Sequence, residues 1–298
     1  MKGTFLGTAS MVPTKQRNVS SVYVEVDGHG LLLDCGEGTQ RQMTHAGLNR
    51  HRVKTILISH WHGDHVSGLV GLLQTKDKVP NPENVLIVGP QGTERHIKHL
   101  LQSCVFNLDY EVRVKEVVPS NLVTVLDSKV VVKAAQLRHG ITCLGFTVQQ
   151  RSRRRVDMES LQQQGVPPGK HIGELQRGED IEWEGETYTA DKYTYTDVKP
   201  VLGYTVDTRP CDGMHQVANA ADTLISEATF LKELLDRAKK YYHLTAEEAA
   251  KVALQEDVKE LYLTHFSQRY PDTAPLTEEA EAVFANTICA KDFLEFEL

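Results

Sequence analysis

The segment ISHWHGDHVSG places three histidines and one aspartate within six positions, directly after a β-branched run. Because alternate residues of an extended strand point to the same face, His60 and His62 share one side of the backbone. The glycine that follows permits a tight bend, so Asp64 and His65 fall on the turn that opens the next helix. This arrangement aims two pairs of ligands at two neighbouring ions. Nitrogen and oxygen donors of this kind suit zinc, manganese or iron(II).

The string supplies only four ligands, so the remaining ligands must come from elsewhere in the chain. Three further donors directly follow apolar runs: His139 after VVVKAAQLR, Asp207 after VLGYTV and His265 after ELYLT. Residues at the carboxyl ends of strands are where α/β proteins place their chemistry. Each of the three alone could be an ordinary turn residue. Together they supply the ligands that the histidine string lacks, and we expect them to complete the metal site.

The order of apolar patterns predicts an α/β fold. Short β-branched or aliphatic runs alternate with helical patterns along the whole chain, which indicates layers of helices and strands. The segment LTAEEAAKVALQE begins a helix with the capping-box pair Thr245 and Glu248. Further helices are expected after residues 38, 63, 91, 230 and 276. The predicted strands span residues 3–7, 21–26, 30–33, 55–59, 85–88, 112–118, 129–136, 144–149, 201–206, 223–226, 260–264 and 293–297.

Composition limits the class of protein. A chain of 298 residues with 40% hydrophobic and 24% charged residues can bury a large core without disulfides. No apolar run approaches the ~18 residues of a membrane span, and the N-terminus lacks the apolar core of a secretory signal, so a cytoplasmic protein is expected. Its five cysteines are odd in number and never spaced CxxC, which argues against disulfides and thiolate zinc sites. The net charge of -7 gives no general attraction to nucleic acid.

One polar stretch, residues 150–199, breaks the α/β pattern. It carries proline and glycine in its middle and lacks a convincing buried strand. A segment of this length is more typical of a functional projection than of a passive connector. It contains eight Lys/Arg and ten Asp/Glu, but four arginines cluster at one end: Arg151, Arg153, Arg154 and Arg155.

The order of these donors resembles the metallo-β-lactamase superfamily, whose fold is an αβ/βα sandwich. More narrowly, the chain resembles the ribonuclease Z family in the segments FLGTASMVPTKQRN, DCGEGTQ, SHWHGDHVSGL, GPQG, GVPPG, VDTRPC, SEATF, YYHLTAEEAA and LTHFSQRY. The resemblance runs from Thr4 to the C-terminus. It implies a single domain over residues 1–298 with a protruding flexible arm at 150–199. The loops LTHFSQRY and PTKQRN are more specific to this family than the histidine string.

The resemblance implies a zinc-dependent endoribonuclease. Such an enzyme cleaves precursor tRNA after the discriminator nucleotide, removes the 3′ trailer and leaves a 3′ hydroxyl. It also implies a homodimer whose arm grips tRNA far from the scissile bond, with no DNA substrate. Two Zn²⁺ per subunit are expected, with Mn²⁺ or Fe²⁺ as alternatives. Carried over by motif, one zinc has His60, His62 and His139, the second has Asp64, His65 and His265, and Asp207 bridges them.

Proton transfers are assigned to two side chains, Asp64 and His243, and a third, Glu227, orients His243. Asp64 would accept a proton from the attacking water, or serve as a ligand alone. His243, oriented by Glu227, would protonate the leaving 3′ oxygen, since a carboxylate at one ring nitrogen fixes the tautomer that presents the other. His243 could instead merely begin the helix at Thr245. The family usually has histidine where this chain has Ser226, so any role of that histidine is lost.

The predicted RNA contacts are basic or hydroxyl side chains. Arg269 offers a planar fork matched to phosphate, with Ser267 on the same loop. By resemblance, the loop with Lys15 and Arg17 lies against the RNA 3′ end and helps to reject transcripts that carry CCA. Either pair could be a solvated surface. The arginine cluster is a sequence-independent backbone binder or a solubilising patch, and Lys170 stands where the arm tip normally has proline.

Asp34, in the segment DCGEGTQ, orients a ligand histidine or caps a helix.

Three other functions are considered. A sibling hydrolase such as glyoxalase II, an arylsulfatase or a cyclic phosphodiesterase shares the histidine string but has no use for the arm or the two specific loops. A non-catalytic RNA-binding module is disfavoured because all seven ligand positions hold competent residues. An iron oxidoreductase is compatible with the donors but needs a flavin partner or a thiol site, and the sequence has neither.

Overall fold

The structure, a computed structural model, describes all 298 residues, and its contacts divide the chain into two compact units. The larger unit combines Met1–Gln150 with Pro200–Leu298, and the smaller unit is Arg151–Lys199. Across the whole chain, no helix is long and apolar enough to pass through a lipid bilayer.

The first sheet of the larger unit has seven strands in the order β18-β1-β2-β3-β4-β5-β6. Pairing is antiparallel from β18 to β3 and parallel from β3 to β6. The strands are β1 (Lys2–Gly7), β2 (Ser21–Val26), β3 (His29–Leu33), β4 (Val53–Leu57), β5 (Val85–Pro90), β6 (Val112–Val117) and β18 (Glu295–Glu297).

The second sheet repeats this arrangement with seven strands in the order β17-β16-β15-β14-β9-β8-β7. Here β17 to β14 are parallel and β14 to β7 are antiparallel. The strands are β7 (Val123–Asp127), β8 (Val130–Leu137), β9 (Cys143–Gln150), β14 (Val201–Thr205), β15 (Thr223–Glu227), β16 (Glu260–Thr264) and β17 (Thr287–Cys289).

Helices cover the outer face of each sheet. Between the sheets, one apolar cluster joins Phe5 and Leu33 of the first sheet to Phe146 and Leu202 of the second. Separate clusters pack helices against the outer faces. The αβ/βα sandwich is therefore confirmed. The helices are α1 (Thr39–His45), α2 (Gly63–Val66), α3 (Leu69–Lys76), α4 (Thr93–Gln102), α8 (Asp212–Asn219), α9 (Leu235–Tyr241), α10 (Ala246–Gln255) and α11 (Ala274–Glu281), with 3-10 turns at Arg50–Arg52 and Lys232–Leu234.

The smaller unit has its own small core. Seven buried apolar or aromatic residues form it, including Leu161, Leu175 and Tyr188. Strand β10 (Arg153–Val156) pairs with β13 (Thr194–Asp197), and β11 (Ile181–Trp183) pairs with β12 (Glu186–Tyr188). Its helices are α5 (Met158–Gln163), α6 (Ile172–Arg177) and α7 (Ala190–Tyr193).

The sequence patterns missed several elements with weak signals. Strand β7 is mostly exposed and lacks a clean alternation. Strand β17 has only three residues, and the four strands of the smaller unit have three or four residues each. Helix α8 buries Met214 and Val217, but its sequence starts with an aspartate and a glycine, which resemble a turn. The capping box of α10 is present as predicted, with Thr245 and Glu248 bonded reciprocally.

Candidate metal centre

Strand ends from both sheets meet at one point of the larger unit. The histidine string runs from the end of β4 into α2, and His139 follows β8 by two residues. Asp207 and His265 follow β14 and β16, whose parallel strands end at the same edge. The structure thus brings all seven predicted ligands together: His60, His62, Asp64, His65, His139, Asp207 and His265.

One oxygen of Asp207 faces the first group of donors. Asp207 Oδ2 lies 3.5 Å from His60 Nε2 and 3.7 Å from His139 Nε2. His62 Nδ1 lies 2.9 Å from His60 Nε2 and 3.3 Å from His139 Nε2. All four donor atoms lie within 4.8 Å of one another. This spacing suits ligands of a single ion.

The other oxygen of Asp207 faces the second group. Asp207 Oδ1 lies 3.1 Å from His265 Nε2 and 3.4 Å from His65 Nε2. Asp64 Oδ2 lies 3.4 Å from each of these two imidazole nitrogens. A single carboxylate therefore stands between two donor sets, the geometry of a bridging ligand.

The hydrogen bonding of the centre is incomplete without a cation. His65 Nε2 and Asp207 Oδ1 are buried and have no hydrogen-bond partner. Buried polar atoms are nearly always satisfied, so an unpaired donor set of this kind indicates a missing ligand. Imidazole nitrogens and carboxylate oxygens are donors for divalent metals. The residues therefore fit a divalent metal site.

The electrostatics of the centre favour charged carboxylates. Burial works against ionisation of Asp207, but the imidazoles of His265 and His65 outweigh it and hold the pKa of the carboxyl well below its usual range. Burial also works against ionisation of Asp64, but a hydrogen bond from His265 and the nearby imidazole of His65 outweigh it and lower the pKa of this carboxyl. Burial, together with the nearby His65, keeps the pKa of His60 well below its usual value. A metal ligand needs this neutral imidazole.

His65 is held from behind by Asp34. Asp34 Oδ2 accepts a hydrogen bond from His65 Nδ1 at 2.7 Å, which leaves Nε2 turned toward the cluster. The same carboxylate accepts bonds from the Ser59 backbone N–H at 2.7 Å, the Ser59 hydroxyl at 2.7 Å and the Tyr204 hydroxyl at 2.9 Å. Of the two roles considered for Asp34, the geometry supports orientation of a ligand rather than a helix cap.

Two other ligands are also oriented through their second ring nitrogens. His139 Nδ1 lies 3.1 Å from the Tyr242 backbone oxygen, and His265 Nδ1 lies 3.0 Å from the Thr229 hydroxyl. Each contact directs the remaining nitrogen, Nε2, into the cluster.

A His–Glu pair borders the metal centre. His243 Nδ1 lies 3.1 Å from both oxygens of Glu227, which is fully buried. Burial opposes protonation of His243, but the carboxylates of Glu227 and Asp207 outweigh it and raise the pKa of the imidazole to about 9. The neighbouring Ser226 is buried, and its hydroxyl bonds the Glu227 backbone oxygen at 3.2 Å.

Sequence reasoning missed two residues that hold this pair. The Thr229 hydroxyl donates to Glu227 Oε2 at 2.5 Å and lies 3.4 Å from His243 Nδ1. Arg209 Nη1 donates to the His243 backbone oxygen at 2.6 Å and to Glu248 Oε2 at 2.7 Å. Both residues lie inside the SEATF and VDTRPC segments, so their place in those motifs was the available signal.

The turns at the strand ends are strained. Asp34, Asp207 and His265 have φ values of 60°, 50° and 60°, in the left-handed region. Non-glycine residues pay a steric cost there, and such conformations cluster at functional sites. At these positions the chain turns sharply and still presents a side chain to the cluster.

A cavity of about 680 Å³ opens above the metal ligands. It lies within the ~300–1,000 Å³ range of small-ligand sites. Ser267 and Arg269, the two residues that the sequence predicts to contact phosphate, line it, and so does His243.

The predicted RNA contact of Arg17 does not match its position. Only 8% of Arg17 is exposed, and its Nη2 donates to the backbone oxygens of Tyr270 and, at 3.0 Å, Pro271. Its guanidinium also lies over the Phe266 ring, 5.6 Å from the centroid. Arg17 therefore ties its loop to the HFSQRY loop instead of facing solvent. Lys15 is exposed.

The remaining basic candidates belong to the smaller unit. Within that unit, Arg154 donates to Thr194 Oγ1 at 2.9 Å and lies 3.6 Å from Asp191. Arg155 pairs with Asp197 at 3.5 Å. Acidic neighbours therefore offset part of this positive charge. All five of these basic residues, Arg151, Arg153, Arg154, Arg155 and Lys170, are exposed.

A family model described as "Anti-Pycsar protein Apyc1" matches residues 1–153. This half contains the histidine string and His139 but ends before Asp207, Glu227, His243 and His265.

Curated proteins and solved structures match this chain over nearly its whole length. Ribonuclease Z of Ignicoccus hospitalis is 37% identical over 287 residues, covering 96% of this chain and 95% of the relative. The crystal structure of human tRNase Z, short form, has a TM-score of 0.74 at 28% identity, with 100% and 99% coverage. The metallo-β-lactamase fold protein YhfI of Bacillus subtilis shares the fold, with a TM-score of 0.70 at 19% identity and 100% and 98% coverage.

We expect Asp34→Asn to weaken binding of divalent metal by about 10- to 100-fold, because the amide orients His65 less firmly than the carboxylate does. Metal content after dialysis against graded chelator measures this change. Asp212→Asn, at an exposed aspartate of α8, is the matched control and should bind as the unmodified protein does. Equal metal retention by the two variants would contradict the role of Asp34.

Proposed function

The chain belongs to the ribonuclease Z family, and we propose that it hydrolyses precursor tRNA on the 3′ side of the discriminator nucleotide. The products are a tRNA with a 3′ hydroxyl and a released 3′ trailer. The observation that carries this proposal is the Asp207 carboxylate, which turns one oxygen to each of two histidine-containing donor sets beneath an open cavity.

Two Zn²⁺ ions are the proposed cofactors, with Mn²⁺ or Fe²⁺ as alternatives that the same donors accept. His60, His62 and His139 would hold one ion, Asp64, His65 and His265 the other, and Asp207 both. When bound, a pair of divalent ions polarises the phosphodiester and lowers the pKa of water towards neutrality. The other steps belong to side chains of the chain.

Asp64 is the proposed proton acceptor. Its carboxylate stays ionised and borders the cavity, so it can take a proton from the water whose oxygen attacks phosphorus. The bond to the 3′ oxygen of the upstream nucleotide breaks as the new P–O bond forms. The 5′ phosphate remains on the trailer.

His243 is the proposed proton donor to the leaving oxygen. Glu227 occupies Nδ1, so Nε2 is the nitrogen left to donate. Thr229 and Arg209 hold Glu227 and the His243 backbone in place. This arrangement favours a proton-transfer role over the alternative in which His243 only precedes the helix at Thr245.

Arg269 and Ser267 are proposed to position the scissile phosphate. Arg269 is exposed on the cavity wall, and its planar fork matches two phosphate oxygens. For Arg17 we propose a supporting role in which it fixes the loop that carries Lys15. Lys15 is then the basic residue of that loop available to RNA.

The smaller unit is proposed to bind the tRNA body. Its exposed basic residues suit contacts with the phosphate backbone: Arg151, Arg153, Arg154, Arg155 and Lys170. Its ten acidic residues, against eight basic ones, argue for a local contact rather than a broad basic surface. A homodimer and a cytoplasmic location stay predictions from the sequence.

We expect a precursor tRNA with a 3′ trailer to be cut beside the discriminator nucleotide, and Asp207→Ala to abolish cutting. Loss of the carboxylate leaves both donor sets without their shared ligand. Gel analysis of end-labelled precursor measures the effect, with Asp212→Ala as control. An intact precursor with the metal-loaded unmodified protein, or full activity of Asp207→Ala, would refute the proposal.

His243→Ala should slow cleavage of precursor tRNA by about 10²- to 10⁴-fold, because the ribose 3′ oxygen is a poor leaving group that needs a proton. Cleavage of bis(p-nitrophenyl) phosphate should slow far less, since nitrophenolate leaves without one. His215→Ala removes a comparable pair, with His215 Nδ1 2.7 Å from Glu256, and serves as control. Equal slowing of both substrates would argue against proton donation.

Removing the smaller unit should raise the KM for precursor tRNA at least tenfold without changing the cleavage of bis(p-nitrophenyl) phosphate. Gln149 and Val201 are partners in the β9–β14 pair, so residues 151–199 can be replaced by a two-residue Asn-Gly turn. Steady-state kinetics on both substrates, with metal content as the folding control, measure this. An unchanged KM for precursor tRNA would rule out the binding role.

A further inference from the structure

Two tyrosines at the C-terminal end of helix α9 lie beside the metal centre. Tyr241 is 46% exposed and Tyr242 is 41% exposed, and both line the cavity directly before His243. Large aromatic side chains are usually mostly buried, and these two are not part of any apolar cluster of the larger unit. Their position needs an explanation other than core packing.

The backbone of Tyr242 is strained. Its φ is 60° and its ψ is 44°, at the helix C-cap, where glycine is strongly preferred. The useful backbone contact, His139 Nδ1 to the Tyr242 oxygen, does not require a side chain. Glycine would therefore satisfy the turn and the contact at lower steric cost. A strained bulky residue at a site mouth points to a use for its ring.

The surroundings of the two rings differ. Arg237 Cζ and Lys240 Nζ lie 5.7 Å and 5.5 Å from the centroid of the Tyr241 ring, so cations cover that ring. The Tyr242 ring instead stands beside the His139 ring, with centroids 6.5 Å apart and an 81° angle between the planes. A Cβ atom on Gly140 would lie 3.9 Å from Tyr242 Cδ2, so the missing side chain there leaves room beside the ring.

We infer that Tyr242 stacks on the base of the nucleotide that carries the leaving 3′ oxygen, while Arg237 and Lys240 bind a neighbouring phosphate. The inference rests on the proposed function. The His139 ring lies 5.4 Å from the ring of the proposed proton donor, His243, and 6.5 Å from the Tyr242 ring, so the Tyr242 ring lines the cavity near the group that would protonate the leaving oxygen. Aromatic stacking holds any base without reading its edge, because every base has a π face. A single-stranded RNA end presents such an unpaired base.

Tyr242→Gly tests the ring without disturbing the turn. We expect the KM for precursor tRNA to rise about tenfold, within the range that loss of one base stack gives. The melting temperature should stay equal or rise, since glycine relieves the strained φ. Tyr242→Phe should restore the KM, because the ring remains. Leu254→Ala, at a 56% exposed side chain of α10, is the control.

A substrate without the base separates stacking from other effects. With the unmodified protein, an abasic residue 5′ of the scissile phosphate should raise the KM for the precursor by the same factor of about ten. On that abasic substrate, Tyr242→Gly should raise the KM no further. With the abasic residue on the 3′ side, the Tyr242→Gly effect should persist. A Tyr242→Gly effect that survives the 5′ abasic residue would overturn the inference.

Two other outcomes would also overturn it. If Tyr242→Gly cleaves the intact precursor as the unmodified protein does, the ring has no role in binding. If Tyr242→Gly loses metal content, the residue acts by orienting His139 instead. Failure of the proposed function looks different from either result, because the unmodified protein would then cleave none of the RNA substrates.

Discussion

The buried carboxylate of Asp207 is the constraint on which the rest of this structure depends. Only 2% of this residue is exposed, yet four imidazole nitrogens lie between 3.1 and 3.7 Å from its two oxygens. A carboxylate can stay charged at such depth only with partners of this kind. The histidine string reaches it from the first sheet, and Asp207 itself comes from the second. The two sheets must therefore pack so that their strand ends meet at this oxygen pair.

The two halves of the chain contribute to the centre in different ways. The first half places four donors at one junction between a strand and a helix, so they appear in the sequence as a dense string. The other three donors come one at a time, each after its own strand of the second sheet: His139 after β8, Asp207 after β14 and His265 after β16. Residues 1–153, which the family model matches, therefore contain five of the seven donors but not the proposed proton donor, His243.

The sequence predicted the fold class and the seven clustered donors because both depend on local patterns. Dense ligand spacing and apolar runs that end in His or Asp can be read from neighbouring residues. Contacts across long separations could not be read in this way. Arg17 contacts the backbone of Tyr270, 253 positions away, so its burial was not visible in a loop that looked solvated. The left-handed backbone at Tyr242 and the hydroxyl of Thr229 between two histidines were hidden for the same reason.

The left-handed turns at Asp34, Asp207 and His265 limit how this centre could be transferred to another protein. A design that copies the seven side chains onto straight strand ends would place the donor atoms in the wrong directions, since the turn sets where each Cβ points. Asn and Gly accept such a turn easily but do not supply the same ligand atoms. A transferred site must therefore include the backbone conformation as well as the side chains. A scaffold is suitable only if its own loops already have residues with left-handed φ and ψ at these three positions.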